Sequence, residues 1–182
     1  GNSIILDPYD VYRMTTGMGK SMQELLAASV ELNVVDGVIL PNLKMQGAEE
    51  ACAYLDGEGR CSIHPYRPGI CRLFPLGRYY ENGGFSYFLQ TGECAKENRS
   101  KIKVSKWIDT PDLTRNQQFT LQWHDLLHAM EERLTGEDEG KQREENLLLL
   151  RLFYLLPYEG TIDFYTQFTE RMEHWNGQNG QI

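Results

Sequence analysis

Cys52-Ala53-Tyr54-Leu55-Asp56-Gly57-Glu58-Gly59-Arg60-Cys61-Ser62-Ile63-His64-Pro65-Tyr66-Arg67-Pro68-Gly69-Ile70-Cys71-Arg72-Leu73-Phe74-Pro75 carries three of the four cysteines in the chain and has little helical periodicity. Gly57-Glu58-Gly59 is too short and too acidic to cradle a phosphate and reads as a turn. Pro68 biases Arg67 to an extended backbone, and Phe74-Pro75 ends any helical turn begun at Gly69, so the second half is a rigid corner. A turn followed by a corner folds a loop around a point. The expectation is that the sulphurs of Cys52, Cys61 and Cys71 cluster there, with Cys94 joining from beyond a hairpin.

The spacing is C-x8-C-x9-C-x22-C, without a CxxC pair, which argues against a zinc ribbon made of two knuckles. A loop-rich segment can still bring distant thiolates to one centre, and four thiolates complete either tetrahedral zinc or an iron–sulphur cluster. The competing reading is that these are small buried hydrophobes, common for unpaired cysteine. Arg60, Arg67 and Arg72 lie near the thiols in sequence, and cationic neighbours favour the thiolate. His64, between Cys61 and Cys71, is a secondary ligand candidate or a turn cap.

Outward from the loop, Asp7-Pro8 offers an N-cap and first-turn proline for a helix through about Met14, with Gly17 and Gly19 in the turn that follows. Ser21 and Glu24 stand in capping-box relation at the head of a second helix. Val34 to Met45 reads as short extended pieces broken by turns at Asp36-Gly37 and Pro41-Asn42. Tyr79-Tyr80 and Phe85 to Leu89 flank Glu81-Asn82-Gly83-Gly84, a hairpin signal, and the aromatic set Tyr79, Tyr80, Phe85, Tyr87 and Phe88 is expected to pack rather than to stack ligands. Three helices follow: from Thr110-Pro111 to Leu134, from Gln142 to Leu156, and from Thr161 to His174.

These signals define an α+β fold, with a small cysteine-bearing mixed core and an α-helical C-terminal half. The expected organisation is a cysteine-cluster metal-binding domain over 1–108, a helical extension packed on it over 109–175, and a flexible tail over 176–182. On the long helix, His124 and His128 have the i, i+4 spacing of a metal pair. They lie opposite the stripe of Phe119, Trp123, Leu126, Met130 and Leu134, which makes them solvated surface residues.

With 182 residues, 41% hydrophobic and 24% charged, the chain has an ordinary globular mix. A net charge of −8 repels nucleic acid. No apolar stretch approaches the roughly 18 residues needed to span a bilayer. No nucleic-acid or membrane partner is therefore expected, and the C-terminal helices are expected either to pack over the site or to serve a protein partner. Without a visible secretion signal, and with too few cysteines for a disulfide scaffold, the expected location is cytoplasmic. Nucleophile-elbow, Walker, dinucleotide and HExxH motifs are all absent from the sequence.

The stretch 52–75 resembles the YkgJ-type CxxCxxCC cysteine-cluster family of zinc- or iron-chelating proteins. The family signature reads C-x-F/Y-L, then Gly-Arg-Cys-x-Ile, then Arg-Pro-x-x-Cys-Arg-x-Phe-Pro. The resemblance extends to Gly92-Glu93-Cys94 and Val104-Ser105-Lys106-Trp107-Ile108, and back to Ile5-Leu6-Asp7-Pro8-Tyr9-Asp10-Val11, the segment that follows the family's CxxCxxCC motif. That motif is not in this sequence. The resemblance implies chelation, with Cys52, Cys61, Cys71 and Cys94 as metal ligands, and poor metal retention without the upstream thiolates. The expected cofactor is an iron–sulphur cluster, favoured by the wide spacing, or zinc. A cluster-dependent modification enzyme, resembling the related flagellin lysine methylases, and a non-catalytic domain whose metal only fixes the fold are the alternatives.

Overall fold

A computed structural model of the chain describes residues 3–93 and 101–179. Helix α1 (Pro8–Met18) starts as expected, with Asp7 as N-cap, and Asp10 completes a capping box. It runs one turn past the expected end and stops at Gly19, in the left-handed region at φ 64°. Gly17 is thus helical rather than part of a turn. A Cβ at this position would lie 2.3 Å from the Tyr66 ring, so the absent side chain is what lets that ring lie on the helix.

Helix α2 (Met22–Ala28) begins with the Ser21/Glu24 capping box. Strands β1 (Val30–Val35) and β2 (Val38–Leu43) pair antiparallel around Asp36-Gly37, both at positive φ, as a two-residue hairpin requires. Pro41-Asn42 does not turn the chain: Pro41 sits opposite Leu32 within β2. The free edge of that strand accepts the N-terminal segment, through Leu6 N–H to Pro41 O and Leu43 N–H to Ile4 O, both 2.9 Å. Asn42, buried there, has its side chain satisfied by Ser3 Oγ and Leu40 O.

Two-residue strands β3 (Met45–Gln46) and β4 (Ala51–Cys52) lead into the cysteine loop, which contains a 3-10 turn (His64–Tyr66) and the short helix α3 (Gly69–Leu73). Strands β5 (Leu76–Glu81) and β6 (Gly84–Leu89) form the expected hairpin, with Asn82 and Gly83 at φ 50° and 69°. Its aromatics divide by face. Phe85 and Tyr87 are half-buried, whereas Tyr79 and Phe88 are exposed, correcting the expectation that the whole set packs.

Helices α4 (Val104–Ile108), α5 (Leu113–Leu134), α6 (Glu139–Leu150) and α7 (Phe164–Asn179) make up the C-terminal half. α6 continues as a π-helical turn, Arg151–Leu155. There the buried Arg171 of α7 donates to Leu152 O, Leu156 O and Pro157 O, satisfying carbonyls at the helix end. α7 continues past His174 to Asn179, with Trp175 fully buried, so residues 176–179 are helical; residues 180–182 of the expected tail lie outside the described residues. Among the described residues, no helix is long and apolar enough to cross a membrane.

One core joins the two halves. Tyr9, Val11 and Met14 of α1 share it with Phe119, Trp123, Phe153, Phe164 and Phe168. Edge-on ring pairs such as Tyr9–Phe164 at 4.9 Å and Trp123–Phe153 at 5.1 Å fill the interior. Tyr154 donates to Leu6 O, and Asn146 of α6 bonds Ile39 N–H and Gly37 O across the β1–β2 turn.

Candidate metal centre

The cysteine loop closes in two steps. Asp56 Oδ1 accepts from Glu58 N–H and Arg60 N–H, an Asx turn, and Gly59 takes φ 73° at the tip. Leu55 and Cys61 then form an antiparallel bridge, while Cys52, three residues earlier, sits in β4 opposite Met45. Cys52 and Cys61 both pack against the hydrophobic core.

The second step brings in α3. Its first N–H, from Gly69, donates at 2.7 Å to Oδ1 of Asp10, 59 residues away on α1. At the other end, Trp107 Nε1 of α4 donates to Leu73 O and Phe74 O. Cys71 lies on the five-residue helix held between these contacts.

Burial pushes the Cys71 thiol up to about 12; charges on Asp10, Cys52 and Cys61 add to the rise, and Arg67 opposes it. Cys52 and Cys61 are thus among the groups whose charge bears on Cys71. All three are free thiols of intermediate exposure. Among the described residues, no three Cys, His, Asp or Glu side chains converge closely enough to make a finished ion site. Cys94 lies outside the described residues.

The basic residues divide their roles. The charge of Arg67 bears on Cys71, where it opposes the rise. Arg60 instead pairs with Asp56 and Glu58 at the exposed turn tip. Arg72 is buried, its guanidinium 5.8 Å from the Tyr9 ring, with Nε and Nη1 unpartnered among the described residues. His64 Nε2 is taken by Arg67 Nη1 at 2.8 Å; a guanidinium only donates, so Nε2 is the acceptor and is not available to a metal. His64 thus holds the Arg67 corner through Nε2.

Among the described residues, neither His124 nor His128 forms a metal-ligating group with the thiols. His128 is exposed, and His124 is half-covered by the Tyr80 ring, stacked at 3.7 Å and 10°. Sequence reasoning missed Asp10. Burial raises its carboxyl well above the usual range, and the charge of Asp7 adds to this, while the N–H groups of Gly69 and Asp7 oppose it. Its helix position gave a local signal, as third residue after the Asp7 cap, but nothing nearby in sequence points to Gly69. A cleft of about 370 Å³ opens beside the loop, between Tyr66, Arg13 and Arg115, with no cysteine in its wall.

A thiol-rich loop pinned to an N-terminal helix and backed by a helical half defines a cysteine-cluster domain. The chain belongs to the CxxCxxCC family, described as "Putative zinc- or iron-chelating domain", whose model matches residues 4–105. The match takes in α1, the cysteine loop, the hairpin and the start of α4. No curated protein and no solved structure matches the chain.

Proposed function

We propose that this chain binds metal through Cys52, Cys61, Cys71 and Cys94, as an iron–sulphur cluster in preference to zinc. The observation that carries the reading is a single loop, closed by the Leu55–Cys61 bridge, that lays Cys52 and Cys61 on the same core and carries Cys71 on the short helix pinned to Asp10. Three thiolates held near one another repel, and a cation between them reverses that cost. The residues fit such a group chemically: soft sulphur donors, partial burial, and a guanidinium at the rim. Cys52, Cys61 and Cys71 are not closed on a point, so binding draws the thiolates together and is coupled to local ordering. Iron–sulphur is favoured over zinc because structural zinc sites usually pair their ligands at short spacing, and this chain does not. A reducing, cytoplasmic setting suits thiolates that must escape oxidation.

Packing of Cys52 and Cys61 on the hydrophobic core supports a second reading, in which the metal fixes the fold and takes no part in a reaction. Anaerobic purification with iron, zinc and sulphide analysis and a visible spectrum tests both. The expected result is bound metal that falls in each single Cys→Ala variant. Equal metal content in the wild type and in all four variants overturns the assignment. Reductive bleaching of a visible band identifies the iron–sulphur form; a colourless zinc protein whose Tm collapses on chelation supports the structural role.

A further inference from the structure

We infer that Asp10 is the positioning residue of the thiol centre, carrying Cys71 to Cys52 and Cys61 through its bond to Gly69. The inference rests on the metal-binding reading for its purpose but on separate geometry for its content. The first N–H groups of a helix have no intrahelical partner, and α3 has no side-chain cap from its own N-cap, Pro68. Asp10 supplies the missing acceptor from another helix at 2.7 Å. The carboxyl group is itself fixed, because Oδ2 accepts from Asp7 N–H at 3.2 Å and the residue is 2% exposed. Asp10 is therefore a rigid post between the cap of α1 and the head of α3.

Cys71 lies two residues beyond Gly69, so whatever fixes the head of α3 fixes the direction of its sulphur. The far end of α3 is held by Trp107, which leaves the Asp10 contact to set the tilt of the helix toward the Asp56 turn. Oδ1 would sit 3.6 Å from a Cβ at Gly69, so carboxylate and helix head are in direct contact. Without that acceptor the Gly69 N–H is left unmet beside a buried side chain, and α3 relieves this by turning toward water. Asp10 touches no metal in this account; it acts through Cys71.

The test compares Asp10→Ala, which removes the acceptor, with Asp10→Asn, which keeps a carbonyl oxygen within reach of Gly69, in the full chain. Where Asp10→Ala does not fold by circular dichroism, Asp10→Ser, too short to span the gap, replaces it. Two measurements are made. In the metal-free protein, dibromobimane bridges neighbouring thiols, and mass spectrometry maps which pairs include Cys71. With Co(II) added as probe, the thiolate-to-cobalt charge-transfer band reports how many sulphurs bind.

In the wild type, Cys71 is expected in bridged pairs. Asp10→Ala should lose those pairs, lose the same band intensity as Cys71→Ala, and bind Co(II) roughly ten-fold more weakly, the scale of outer-shell residues at metal sites. Asp10→Asn should restore most of both signals. Unchanged Cys71 bridging in Asp10→Ala overturns the inference, as do equal losses in Asp10→Ala and Asp10→Asn. Bridging that depends on Asp10 in a chain that gives no cobalt band and holds no iron, zinc or sulphide after anaerobic purification defeats the metal-binding reading while leaving the positioning role standing. Absence of Cys71 from bridged pairs in the wild type overturns the positioning role directly.

Discussion

Gly17→Ala sets a local rule of helix formation against a contact of the fold. On propensity alone the change is favourable, because glycine inside a helix costs about 1 kcal/mol relative to alanine. In the structure the added Cβ would lie 2.3 and 2.4 Å from two atoms of the Tyr66 ring, well inside the 3.4–4 Å of ordinary contact. Either the ring moves off α1 or the 3-10 turn that carries it lifts, and overpacking of this kind costs about 1–3 kcal/mol. The net expectation is a destabilisation of about 1 kcal/mol, read as a lower urea midpoint at unchanged m. In a Tyr66→Ala background the clash is gone, and the same change should stabilise by about 1 kcal/mol. The double-mutant cycle then returns a coupling of about 1–3 kcal/mol. A higher midpoint for Gly17→Ala alone, with no dependence on Tyr66, would refute the docking of the Cys61–Cys71 loop on α1.

Asp7 gives a pH signature. Burial raises its carboxyl to about 6, so the folded state holds a proton that the unfolded chain releases near 3.9. Stability from this group is complete below about 4 and is lost as pH rises through about 6; relative to Asp7→Asn, the wild type should weaken by about 1–2 kcal/mol across that window in urea titrations. His128→Ala should leave stability and metal content unchanged. His124→Ala should leave metal content unchanged but lower stability by about 0.5–1 kcal/mol, because it removes the Tyr80 stack; loss of metal in either variant would move the chemistry onto α5. Trp175→Ala should cost about 3–5 kcal/mol by thermal or urea unfolding, since the ring is fully buried against Phe153.

Local chemistry made much of the fold legible. Asp7-Pro8, the Ser21/Glu24 box and Asn82-Gly83 each specify backbone geometry within four residues, and each starts a helix or turns a hairpin where expected. The stripe from Phe119 to Leu134 faces the core because one face of a helix can be read from spacing. What escaped depends on partners distant in sequence. Pro41-Asn42 reads as a turn until residues 4–6 add themselves to the edge of β2. α7 looks complete at His174 until Phe153 offers Trp175 a place to bury. At the site, the turn and the corner were visible, but the division of labour among the arginines was not. Sequence proximity to a thiol does not fix where a long side chain points: Arg72, next to Cys71, lies over Tyr9 of α1.

The helical half bears on the site although the family match ends at residue 105. α1 presents Asp10 to Gly69 and carries Gly17 beneath Tyr66, so the cysteine loop takes its shape from that helix. α1 in turn is held by residues far beyond the match: Tyr9 against Phe164 at 4.9 Å and Phe119 at 6.3 Å, and the segment before it through Tyr154 to Leu6 O. Removing the chain after residue 108 would expose Tyr9, Val11 and Met14 together, each worth about 1.5–3 kcal/mol of burial. A loss of that size matches the whole stability of many small domains. The cysteine loop therefore depends on α5 and α7, because the post that positions Cys71 stands on a helix that only the complete core keeps in place.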